Sequence, residues 1–154
     1  MKTSVFFSRF AVIVVTITMS LVLSSFTTST NVTDNADSEF VEMLVKEMKA
    51  DLPMDIGGGM AITAVYTANS NFVVECTCPD SAVDLIRLGF STLSKEEALK
   101  GIYVDASTKL MGKICAEANY GMRWVYLTRS RTNQTELFFT ASELKTFLLS
   151  NPAN

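Results

Sequence analysis

The chain has 154 residues, 48% of them apolar, 19% charged and 10% aromatic, with 7 Gly, 3 Pro, 3 Cys and no His. This is the composition of a globular chain of one-domain size, and it excludes extensive disorder, collagen-like repeats and a cysteine-dense scaffold. The lack of histidine removes every Ser-His or Cys-His nucleophile pair and every imidazole metal ligand.

Residues 1–25 read as an export segment. Lys2 and Arg9 give a positive start, a nearly continuous apolar run spans Phe10 to Leu23, and Ser24 and Ser25 provide a small-residue exit. That is the pattern of a secretory signal peptide. Counted on to Phe26, the run also approaches the shortest membrane span, so a retained signal anchor in the inner membrane is the alternative. The first cysteine is Cys76, which rules out a lipoprotein leader. Residues 26–37 are polar and read as a tether. Without Lys2 and Arg9, the 13 basic residues fall to 11 against 16 acidic ones, a net charge of −5. Such a balance speaks against nucleic acid and against electrostatic attraction to anionic lipid. Only a retained N-terminal segment would engage a membrane.

Residues 38–150 read as a single α+β domain, long enough to bury a core without staples. The first helix is expected over about Glu39–Leu52, capped by Asp37 or Ser38, with Phe40, Val41, Leu44, Val45, Met48 and Leu52 at helical spacing. Gly57-Gly58-Gly59 then reads as a flexible connector, because no Gly-Lys-Ser/Thr follows to make a phosphate loop. Met60–Thr67 and Phe72–Cys78 are expected strands, joined in a hairpin at Ala68–Asn71. A helical middle follows, with one piece near Ser81–Leu88 and another opened by the Ser94-x-x-Glu97 capping box. It continues to Asn119, with interruptions at Gly101 and Gly112. A second hairpin pairs Met122–Arg129 with Thr135–Phe139, and the Thr140-x-x-Glu143 box opens a C-terminal helix. The expected order is α-β-β-α-β-β-α, a four-stranded antiparallel sheet from two hairpins with helices on one face.

Two groups of residues could carry function. Cys76 and Cys78 lie two apart on a strand and so share a face; with Cys115 they could form a structural disulfide, exchange thiols or hold a soft metal. The alternative is three buried thiols, since free cysteine is among the most buried residue types. Trp124 and Tyr126 also share a strand face, and Arg129 and Arg131 sit near the following turn. Together the four would make an aromatic-basic patch for a peptide, glycan or acidic ligand, unless the aromatics are core. Nothing pairs two carboxylates for acid–base work, and no cofactor or metal motif is present. Asn31-Val-Thr33 and Asn133-Gln-Thr135 match glycosylation sequons, which matter only in a eukaryotic secretory route.

The layout of leader, short helix, Leu52-Pro53 before the first hairpin, a helix ending in Ile114-Cys115, and a second hairpin bearing Trp124 and Tyr126 resembles small exported bacterial αββαββ domains of unknown function. Those domains usually show Tyr-x-Tyr followed by an Asp-Gly turn; here Trp124 stands in the strand and the turn lacks Asp-Gly. The resemblance implies export, periplasmic or secreted, and fold class, with no functional residue attached. The sequence therefore predicts a non-enzymatic binding or envelope-assembly module whose partner is another envelope protein or peptide. A thiol-redox or metal-binding protein using Cys76, Cys78 and Cys115 is the alternative.

Overall fold

A computed structural model describes residues 33–103 and 106–151, so the leader lies outside the described residues. Helix α1 runs over Thr33–Ala50. It starts earlier than expected and includes part of the sequence read as a tether, because extending an existing helix by one residue costs far less than nucleating one. Its stripe is core: Val41, Leu44, Val45 and Met48 are all buried.

Strand β1 (Met54–Gly57) was not expected. Short and interrupted by Asp55, it shows no alternation long enough to read. It pairs antiparallel with β2 (Met60–Ala68) through a bulge between Asp55 and Gly57. The triple glycine is therefore a hairpin turn and not a flexible connector. All three glycines have positive φ, at 90°, 64° and 76°, where a side chain would be strained. Strand β2 turns into β3 (Asn71–Cys78) through Asn69 and Ser70, both at positive φ, the two-residue turn that matches strand twist.

Three helices follow: α2 (Asp80–Thr92), α3 (Lys95–Ile102) and α4 (Ala106–Glu117). The Ser94 and Glu97 side chains reciprocally cap α3, as the sequence indicated. Helix α4 ends in a Schellman turn. Asn119 adopts φ 58°, Asn119 N–H donates to Ala116 and Tyr120 N–H donates to Cys115. Of the two expected interruptions, the one at Gly101 is met, since α3 ends at Ile102, whereas Gly112 lies inside α4. Gly112 serves close approach. A Cβ there would meet the buried Tyr103 ring at 2.6 Å.

Strands β4 (Gly121–Thr128) and β5 (Gln134–Phe139) form the second hairpin, and α5 (Ala141–Ser150) carries the second capping box, Thr140 with Glu143. Among the described residues the sheet has five strands in the order β1-β2-β3-β4-β5. It is mixed, which corrects the expected four-stranded antiparallel sheet: β3 and β4 run parallel, in register from Asn71↔Gly121 to Cys78↔Thr128. The three-helix segment between them returns the chain to the end of the sheet where β3 began, as a parallel connection requires. One face of the sheet supplies Ile62, Val65, Phe72, Val74, Cys76, Cys78, Met122, Leu137 and Phe139 to a single core shared with the helices. The expectation of helices on one face holds.

Packing decides the sign of two glycine substitutions. Gly89, inside α2, has nothing within 4 Å of where a Cβ would stand, so Gly89→Ala should stabilise by about 0.5–1 kcal/mol through helix propensity alone. Gly112→Ala should destabilise, because overpacking against Tyr103 costs about 1–3 kcal/mol and outweighs the same gain. Urea denaturation of both variants measures this pair. A pH dependence also follows. Hydrogen bonds from Lys95, then from the Thr140 backbone, hold the Glu143 carboxyl below its usual range. A carboxyl depressed by folding adds stability above its unfolded pKa, and this is lost as pH falls through the folded value. The urea midpoint should therefore drop on acidification below about pH 4.3, and Glu143→Gln should flatten that part of the profile.

Candidate functional site

The parallel register places Val74 beside Trp124 and Cys76 beside Tyr126, all on the helix-covered face. Trp124 is half-buried against the core, and its indole N–H finds no acceptor among the described residues. Tyr126 packs its ring 5.6 Å from that of Phe90 on α2, and burial raises the Tyr126 pKa. Arg129 is exposed at the turn. Arg131 reaches to the other face of the sheet, where it donates to the Glu75 carboxylate at 3.1 Å. The structure thus brings Trp124 and Tyr126 together in the core layer but does not join them to Arg129 and Arg131 in one exposed patch.

Among the described residues, the sheet face turned away from the helices carries cross-strand side-chain pairs. Tyr66 donates to Glu75 at 3.0 Å, the Thr63 and Thr77 hydroxyls bond at 2.9 Å, and Arg123 lies over the Phe138 ring at 5.7 Å. Glu136 sits 3.7 Å from the Arg123 guanidinium. Val73 and Leu127 are buried on that face.

The three cysteines are buried free thiols, so the disulfide considered from the sequence is absent from the structure. Burial, with a smaller contribution from the charge of Cys78, pushes Cys76 up to about 12. Burial does the same to Cys115, also to about 12, and raises Cys78. Cys76 lies inside β3, Cys78 at its last residue ahead of the α2 N-cap Pro79, and Cys115 in α4; in each place burial disfavours the thiolate, the form that attacks electrophiles and binds metals. Among the described residues no group of three His, Cys, Asp or Glu is placed to hold a metal ion.

Among the described residues the large exposed apolar side chains are Leu149, alone near the end of α5 and 84% exposed, and a group on and just after α2. Val83, Ile86 and Phe90 face the core at helical spacing. Leu85 and Leu88 lie on the opposite side with 68% and 62% of their surface exposed, and Leu93 just beyond the helix is 47% exposed. The open space at Gly89 continues this ridge. Arg87 anchors the helix: it donates to Asp84 at 2.7 Å, to the Asn133 side-chain oxygen and to the Gln134 carbonyl at 2.8 Å. Asn133 in turn donates to Asp84 at 3.1 Å, so the ridge is held on the β4–β5 hairpin. The signal in the sequence was surplus: residues 82–90 hold more large apolar side chains than one buried stripe accommodates.

No protein-family profile matches the sequence, and no curated protein matches it. Two solved structures share the fold. A candidate secreted protein from Pseudomonas aeruginosa aligns with a TM-score of 0.56 at 9% identity, over 75% of this chain and 99% of that one. The pilotin EpsS of the Vibrio vulnificus type 2 secretion system aligns with a TM-score of 0.53 at 10% identity, over 73% of this chain and 94% of that one. The resemblance to small exported bacterial α+β domains thus holds at the level of fold. Among the described residues, no helix is long and apolar enough to cross a membrane.

The buried thiols yield a labelling prediction. At pH 8, iodoacetamide should modify none of Cys76, Cys78 and Cys115 in the folded protein and all three in urea, as counted by intact mass. Rapid native labelling of any one would refute this account of the site.

Proposed function

We propose that this protein is an exported, non-enzymatic binding or assembly module of the bacterial envelope, and that its α2 ridge docks another envelope protein or peptide. The observation that carries this reading is the solvent-exposed pair Leu85 and Leu88 on a helix whose other side is core. Single exposed leucines are ordinary, but two on adjacent turns with Leu93 nearby form a contiguous apolar surface on a clamped helix. The likeness in fold to a type 2 secretion pilotin and to a candidate secreted protein supports an envelope role. The leader supports export. Tyr126 acts in this reading as the layer beneath the ridge, supporting α2 through Phe90, with Trp124 beside it in the core layer, while Arg129 and Arg131 lie outside the contact.

Burying both leucines would contribute about 3 kcal/mol, so Leu85→Asp with Leu88→Asp should weaken partner binding by about 100-fold or more. The fold should persist, because neither residue is in the core. A photo-crosslinking side chain at position 85 or 88 in cells should capture one specific envelope protein, identified by mass spectrometry. The same group at Glu136, on a strand edge, should not. Failure to crosslink at 85 and 88 alongside efficient crosslinking at 136 would move the interface to the sheet.

A further inference from the structure

We propose that Cys76 and Cys78 act as a redox gate on folding: the domain forms only while both are reduced, and once formed it shields them from oxidation. Strand β3, which carries both, is the central strand, paired with β2 on one side and β4 on the other. Both thiols point into the core, at 1% and 0% exposure. Cys76 is registered with Ile62 and Tyr126, and Cys78 with Thr128. Residues two apart on one strand face are separated by about 6.5–7 Å with parallel Cβ directions. A disulfide needs Cβ atoms about 3.5–4.5 Å apart. A Cys76–Cys78 bond would therefore pucker the C-terminal end of the central strand, breaking its pairing with β2 at Ile62 and Ala61 and with β4 at Tyr126, Leu127 and Thr128. A mixed disulfide on either sulfur is excluded as well, since the core around it has no room for an adduct.

The chemistry requires only a low-molecular-weight disulfide such as oxidised glutathione. In the unfolded chain, one cysteine thiolate attacks that disulfide and expels one glutathione thiolate. The second cysteine thiolate then attacks the mixed disulfide, closes the Cys76–Cys78 bond and expels the second glutathione. Two electrons and two protons pass from the cysteines to the oxidant. For a chain exported unfolded, as the leader predicts, formation of β3 competes with this oxidation. The gate is independent of the α2 ridge and of any partner.

The test uses the full-length purified chain and a Cys115→Ala variant that leaves only the pair. Each is unfolded in urea, treated with oxidised glutathione or left reduced, mapped by mass spectrometry and diluted into buffer. Refolding is followed by circular dichroism and Trp124 fluorescence. Molecules carrying the 76–78 link should recover native signal at least about tenfold less than reduced ones, and dithiothreitol should restore them. The folded protein should keep its thiols in the same oxidant. Recovery of the native urea midpoint with the 76–78 bond intact, or oxidation of the folded protein as fast as the unfolded chain, would overturn the proposal. If Cys115→Ala does not fold, the wild-type fraction mapped to the 76–78 link decides the same question.

Discussion

The in-register parallel pairing of β3 with β4 is the constraint on which the rest of the structure depends. Because eight consecutive pairs run in step, Phe72, Val74, Cys76 and Cys78 lie beside Met122, Trp124, Tyr126 and Thr128 on one face. That alignment builds the floor on which the helices pack. It also demands tight entry to β4. The Gly121 N–H donates to the Ser70 carbonyl at 2.9 Å, and a Cβ at Gly121 would lie 2.5 Å from the Asn71 side chain and 2.7 Å from the Phe139 carbonyl. Only glycine allows three strands to converge there.

The two faces of the sheet divide the labour of the side chains. On the helix side, apolar contact dominates and even the hydroxyl-bearing rings of Tyr103 and Tyr126 are drawn into the core; Tyr103 hydrogen-bonds the Met122 sulfur. On the other side, polar and aromatic side chains pair across strands, Tyr66 with Glu75, Thr63 with Thr77 and Arg123 over Phe138, while Val73 and Leu127 are buried between them in the strands. Exposed ion pairs such as Arg131 with Glu75 contribute little stability each. Their effect is to place polar atoms on that face, whereas the large apolar residues left exposed among the described residues lie on and just after α2, with Leu149 alone on α5.

Burial gives the cysteines a different meaning from the one their spacing suggests. Spacing of two on a strand favours a shared face, and a shared face suggests a common ligand or bond. In the core that same arrangement keeps the sulfurs protonated and holds their Cβ atoms too far apart to join. Chemistry open to the unfolded chain is closed to the folded one.

Much of this protein was legible in its residues. The capping boxes at Ser94 and Thr140, the α1 stripe and both hairpins follow from local spacing, because caps, turns and amphipathic stripes act over a few residues. The direction in which β4 meets β3 does not, since it depends on where residues 79–120 return the chain. Strand β1 was hidden for a related reason: four residues beside a triple glycine gain strand character only from β2. The aromatic-basic patch dissolved because strand alternation tells which residues share a face but not which face the helices cover. The α2 ridge emerged for the same reason. Local periodicity determines the elements, while burial is settled by long-range packing, and burial decides which cysteines, aromatics and leucines remain available for chemistry or contact.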